Sequence, residues 1–142
     1  MEALARAALA DVRQTVGAYR EVTLAAELAG ARSALAAAGI AAELPVAVPE
    51  LPHDWDRLFG WTVREGVTNV VRHSGARCCT IRVDPDGVEV SDDGRGPSAP
   101  DATGHGLLGL RERARRLDAV VTVGRRDGGG FLLRVHAPGE AR

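Results

Sequence analysis

Between positions 65 and 73 stand four side chains that can act together: Glu65, Asn69, Arg72 and His73. At about 100° per residue they project from a helix within roughly a quarter turn of one another, while Phe59, Val63, Val67 and Val70 project from the opposite side. A carboxylate, an amide oxygen, a guanidinium and an imidazole along one edge can hold a hydrated Mg2+ and phosphates, because Mg2+ takes few protein oxygens and completes its shell with phosphate oxygens. Taken alone, the same pattern is also that of a solvated helix face.

Two further segments carry chemistry. Ser91-Asp92-Asp93-Gly94-Arg95-Gly96 follows directly on a strand-like run. Its glycines let the backbone turn away and admit a flat ligand, and Asp92 can accept a hydrogen bond from an exocyclic amine. An Asp-Asp-Gly sequence is also a common turn. Gly104-His105-Gly106-Leu107-Leu108-Gly109-Leu110 opens a helix whose first amides can bind phosphate oxygens. Its glycine spacing fits a dinucleotide fingerprint, but residues 98–103 read as a loop, whereas that fingerprint follows a strand.

Several elements must position these groups. Leu4, Ala8, Val12, Val16 and Tyr19 lay an apolar stripe along a first helix over about residues 2–19. A second helix follows Thr23, its N-cap, with Leu24, Leu28, Ala31 and Leu35 as a packing seam and Gly39 as its stop. After a short strand-like piece at Ile40 and the prolines Pro45, Pro49 and Pro52, a long helix is expected from Asp54, as its cap, to Ser74. Residues 78–83 and 88–91 alternate as a hairpin around Asp84-Pro85-Asp86-Gly87. A Gly/Pro/Ser/Asp-rich loop leads to a helix over about 105–117, and strands at 119–125 and 131–136 flank Gly128-Gly129-Gly130. Helices on one side of a mixed, mostly antiparallel sheet make a two-layer α/β sandwich.

The 142 residues fit one domain, and 45% hydrophobic with 26% charged residues is a globular composition. A net charge of −1 argues against broad attachment to nucleic acid or anionic lipid. Every one of the 18 cationic side chains is an arginine. Two adjacent cysteines, Cys78 and Cys79, suit neither a disulfide framework nor a zinc site and fit a reducing cytosol. No window reaches the roughly 18 apolar residues of a membrane span, and the N-terminus has no signal pattern.

In order and spacing, the three chemical segments resemble the N, G1 and G2 boxes of the Bergerat ATP-binding fold. The stretches 64–76, 92–96 and 104–113 are most similar to sensor histidine kinases of the DesK/NarX type, and residues 8–13 resemble the end of that family's dimerisation helix. This resemblance implies residues 1–20 as the end of a dimerisation and phosphotransfer helix, and 21–142 as an ATP-binding catalytic domain with a short lid at about 97–103. It implies ATP and Mg2+ as cofactors. Asn69 would serve the metal that bridges the phosphates, and Glu65 the acid/base work on the attacking imidazole. Arg72 and His73 would make phosphate-side contacts. Asp92 would recognise the adenine amino group, with Gly94 and Gly96 shaping the pocket. Gly104, His105, Gly106, Leu107 and Gly109 would form the hinge and phosphate-facing turn.

Two departures stand out. The family usually carries a Gly-Thr pair before its last strand, where this chain has Gly129-Gly130-Phe131. None of His53, His73, His105 and His136 sits where a phosphoacceptor would. That group is therefore expected on an upstream dimerisation domain, with a response regulator as the final acceptor. A homodimer through the first helix, a cytoplasmic location, and a longer protein anchored in a membrane through an N-terminal sensor are further expectations. The alternative within the same fold is an anti-sigma-factor-type serine kinase or a nucleotide-binding switch.

Overall fold

A computed structural model describes residues 22–95 and 104–139, apart from the side chains at 73, 74, 104 and 105. The expected first helix, Gly96, the lid at 97–103 and the last three residues lie outside the described residues.

Helix α1 spans Leu24–Ala37. Thr23 caps it as expected: its hydroxyl oxygen accepts from the Ala26 N–H at 3.1 Å, and Asp56 Oδ2 accepts from the Leu24 N–H at 3.3 Å. The seam residues Leu24, Leu28, Ala31 and Leu35 are all buried, and Gly39 ends the helix at φ +73, a left-handed conformation that glycine adopts without strain. Strand β1, Ala41–Glu43, follows.

Helix α2 covers His53–Asn69. Asp54 is not its cap: Pro52 holds that position with φ −53 and no side-chain cap bond, and the Asp56 N–H donates to the Pro52 carbonyl. Proline fixes φ near the helical value at a helix start, so Asp54 falls inside the first turn, where a carboxylate favours the helix dipole. The far end also departs from expectation. The α-helix stops at Asn69 and continues as a π-helical turn, Val70–Ser74, closed by Gly75 at φ +62.

Strands β2, Cys78–Asp84, and β3, Gly87–Asp92, pair antiparallel. The Asp84 carboxylate accepts from the Asp86 N–H at 2.8 Å and fixes the turn. Helix α3, Gly104–Arg115, precedes β4, Val120–Arg125, and β5, Phe131–His136. The sheet order is β1-β2-β3-β5-β4, with β1 parallel to β2 and every other pair antiparallel.

Register explains the two layers. Ile81, Val90, Leu133 and Val123 form one cross-strand row, and Val83, Val88, Val135 and Val121 another on the same face. Those rows pack under the helices with Phe59, Val63, Val67 and Leu110, while Arg82 and Arg134 are exposed on the other face. Cys79 pairs with Asp92 two positions along the same face, so the alternation that buries the valines also turns Asp92 toward the helices.

Gly66 sets the spacing of the layers. A Cβ at this position would lie 2.8 Å from Val90 Cβ, so α2 rests on β3 backbone to side chain. Gly66→Ala is expected to lower stability by about 1–3 kcal/mol through overpacking. Gly30→Ala, in α1 with nothing within 4 Å, should gain up to about 1 kcal/mol from helix propensity. Chemical denaturation that finds Gly66→Ala as stable as Gly30→Ala contradicts this contact.

Candidate functional site

Topology brings the three chemical segments to one end of the molecule. A helix that connects two adjacent parallel strands runs against them. Helix α2 connects β1 to β2 in this way, and β3 is antiparallel to β2, so α2 and β3 point the same way. Their C-terminal ends, Asn69 and Asp92, therefore lie at the same edge of the layer, beyond the Gly66–Val90 contact. The chain leaves β3 at that edge and returns as the start of α3. The contact between Gly106 and the Glu65 carboxylate closes the triangle: a Cβ at Gly106 would collide with both carboxylate oxygens.

Asp92 is 1% exposed. Its Oδ1 accepts from the Gly94 N–H at 2.7 Å, while Oδ2 is buried with no hydrogen-bond partner among the described residues. Burial raises this carboxyl above the ordinary aspartate value; the Gly94 and Phe131 N–H groups pull it partway back, and the Asp93 charge opposes them. A buried polar oxygen without a donor costs about 1–3 kcal/mol, more when charged. That geometry suits an incoming N–H donor such as an exocyclic amine.

Asn69, the last α-helical residue of α2, has its Nδ2 buried without an acceptor. An unsatisfied amide here fits a site that gains oxygen-rich company, such as phosphates with a divalent ion. Among the described residues no group of three His, Cys, Asp or Glu side chains could hold a metal ion alone, so Mg2+ would need phosphate oxygens to fill its shell.

Burial also raises the Glu65 carboxyl, and the nearby Arg72 guanidinium offsets part of that rise. Arg72 is exposed in the π-helical turn, and its effect on Glu65 places it on the same side of the site. A π-turn advances by less than 100° per residue, so a straight helical wheel does not carry past Asn69; such turns recur at functional sites. The His73 backbone lies in the same turn, and Gly104 and His105 begin α3. The Leu107 side chain belongs to the core, which leaves only its backbone to face a ligand. At Gly109 a Cβ would meet nothing within 4 Å, so packing among the described residues does not require glycine there.

Three contributors escape a reading of the sequence by residue type. Gly130, at φ +101, presses against the Asp92 backbone so closely that a Cβ would overlap the Asp92 carbonyl oxygen; its signal is the run of three glycines. The second acid of the pair has a different task from the first. Asp93 Oδ1 accepts from the Arg77 and Cys78 N–H groups at 2.9 and 3.0 Å, which holds its carboxyl below the ordinary value and ties the end of β3 to the start of β2. Cys79, beneath Asp92, is buried with its thiol pushed up to about 12 by burial and by the Asp92 and Cys78 charges, so it is a neutral part of the floor.

No family model matches the chain. It is 31% identical over 145 residues to the sensor histidine kinase YvfT of Bacillus subtilis (strain 168), across 95% of this chain and 38% of that protein. It is 34% identical over 120 residues to the sensor histidine kinase DesK of the same organism, across 77% of this chain and 32% of that protein. The chain thus spans well under half the length of these relatives. Among solved structures, the histidine kinase domain of the blue-light activated histidine kinase from Erythrobacter litoralis EL346 superposes with a TM-score of 0.62 at 22% identity, over 82% of this chain and 65% of that one. The ATP binding domain of PrrB from Mycobacterium tuberculosis gives a TM-score of 0.54 at 20% identity, over 84% of this chain and 96% of that one. At such identities these two likenesses speak for the fold. By its kinship with YvfT and DesK in sequence, and with kinase domains in architecture, the chain is a homologue of the sensor histidine kinases and has the α/β fold of their ATP-binding domains.

Proposed function

We propose that this chain is the ATP-binding catalytic domain of a two-component histidine kinase, residues 21–142, preceded at 1–20 by the end of a dimerisation helix. The observation that carries the reading is the buried, unpaired Oδ2 of Asp92, an acceptor set to receive the adenine amino group. Asn69 would hold Mg2+ together with the triphosphate. The metal would supply charge neutralisation on the phosphates. Phosphoryl transfer needs positioning and electrostatics more than covalent chemistry from the protein, and the start of α3 offers amides for that purpose.

Glu65 would act as the acid/base. Its raised pKa lets the carboxyl exchange a proton nearer neutrality than an exposed glutamate does. It would take the Nδ1 or Nε2 proton of a phosphoacceptor imidazole presented by the upstream domain, with Arg72 tempering its basicity. A response regulator aspartate would then receive the phosphoryl group. The serine-kinase alternative has less support, because the curated relatives are sensor histidine kinases.

Calorimetry should detect ADP and ATP binding to the chain. Asp92→Ala should abolish it, and Asn69→Ala should weaken it and remove its dependence on Mg2+; unchanged titrations for both variants contradict the site. Incubation with γ-labelled ATP should leave the isolated chain unlabelled, since the phosphoacceptor is expected elsewhere, and label on a histidine of this chain overturns that division of labour.

The Asp92 charge has a pH signature. Between the unfolded value of 3.8 and the raised folded value, the folded state binds more protons than the unfolded one, so this group adds stability as pH falls. The stability of the unliganded parent relative to Asp92→Asn should therefore shift in the parent's favour as the pH is lowered from about 7 toward 4.5. Thermal denaturation at several pH values measures this, and a difference that stays flat counts against a raised Asp92 pKa.

A further inference from the structure

Helices α2 and α3 also line a cleft away from the Asn69 end of α2. Trp61 and Arg57 lie two and three turns back from Asn69 along α2, roughly 12 and 18 Å. There they join Arg113, Arg116, Leu58, Leu117 and Asp54 around a cleft of about 230 Å³. Nothing in the nucleotide reading uses these residues.

The lining is rich in donors and poor in acceptors. The Arg113 guanidinium lies over the Trp61 ring, its Cζ 4.0 Å from the ring centroid, and the Arg64 Cζ lies 4.6 Å from the same centroid. Arg64 is neutralised by an ion pair with Glu27, whereas Arg57, Arg113 and Arg116 form no ion pair with any described residue. Arg57 Nε and Trp61 Nε1 are buried without hydrogen-bond partners among the described residues. Burial first, and then the neighbouring Arg57, Arg116 and Arg64 charges, lower the Arg113 pKa.

Three guanidiniums against the single carboxylate of Asp54 leave an excess of two positive charges around the cleft. We propose that the Arg57–Trp61–Arg113–Arg116 cleft is a second anion site, separate from the nucleotide site, that takes a phosphate dianion. Arginine forks match the tetrahedral oxygens of phosphate with paired hydrogen bonds, and the Trp61 face holds Arg113 in place while leaving its N–H edge for the ligand. A neutral or cationic ligand would find almost no acceptor there. The phosphate can be inorganic or the head of a phosphate ester.

The test follows Trp61 emission in Trp55→Phe, which leaves Trp61 as the single indole of the two in the chain. Inorganic phosphate and O-phosphoserine are titrated separately at ionic strength held constant with sodium chloride, and calorimetry of the unsubstituted chain repeats both titrations. A saturable change is expected with at least one of them, and the tighter of the two identifies the source. Arg57→Gln and Arg116→Gln should each weaken it by about tenfold while ADP binding persists, and Asp92→Ala should leave it intact. A response that is unsaturable, that sodium chloride alone reproduces, that succinate matches or exceeds, or that both arginine variants retain overturns the proposal.

Discussion

A carboxylate sealed at the end of a sheet with one oxygen unpaired is costly, and the arrangement of this domain follows from keeping it there. Asp92 turns toward the helices because it sits in register with Cys79 and in phase with Val88 and Val90. The Gly94 N–H satisfies one oxygen, the Asp93 tether fixes the strand end, and Gly130 closes the backbone around it. Such a feature persists when a ligand completes it, since natural sites give up stability where function needs an unsatisfied group.

The second constraint is the distance between α2 and β3. Gly66 lets the helix settle directly on Val90, which brings the Asn69 end of α2 to the Asp92 end of β3. The π-turn that follows frees Val70–Ser74 from the α-helical wheel and carries Arg72 to where its charge acts on Glu65. The start of α3 completes the enclosure through the Gly106–Glu65 contact. Asn69, Arg72 and Glu65 are thus gathered by backbone proximity at two glycines, Gly66 and Gly106, more than by any ion pair among the described residues.

Much of this was legible from residue order. Thr23 with the 24-28-31-35 seam announces α1 because capping and period agree. The Asp84–Gly87 turn announces the β2–β3 hairpin for the same reason, and the three chemical segments stand out by composition. What stayed hidden depends on tertiary contact. Asp54 reads as a cap until Pro52 is seen to fix the helix start, and a 3.6-residue period cannot reveal where a helix loosens into a π-turn. Gly66 and Gly130 look like ordinary glycines, since only the approach of Val90 or the Asp92 carbonyl makes a side chain costly there. Asp92 and Asp93 are adjacent and identical in type, and only strand alternation buries one against the helices and leaves the other as the structural tether.

The most direct measurement is a 13C NMR titration of the Asp92 carboxyl in the chain with and without ADP. The account requires a pKa above the ordinary aspartate value in the free domain, and a fall on nucleotide binding as an amino N–H stabilises the anion. A free-domain value at or below that of an exposed aspartate, or one that ADP leaves unchanged, would contradict it.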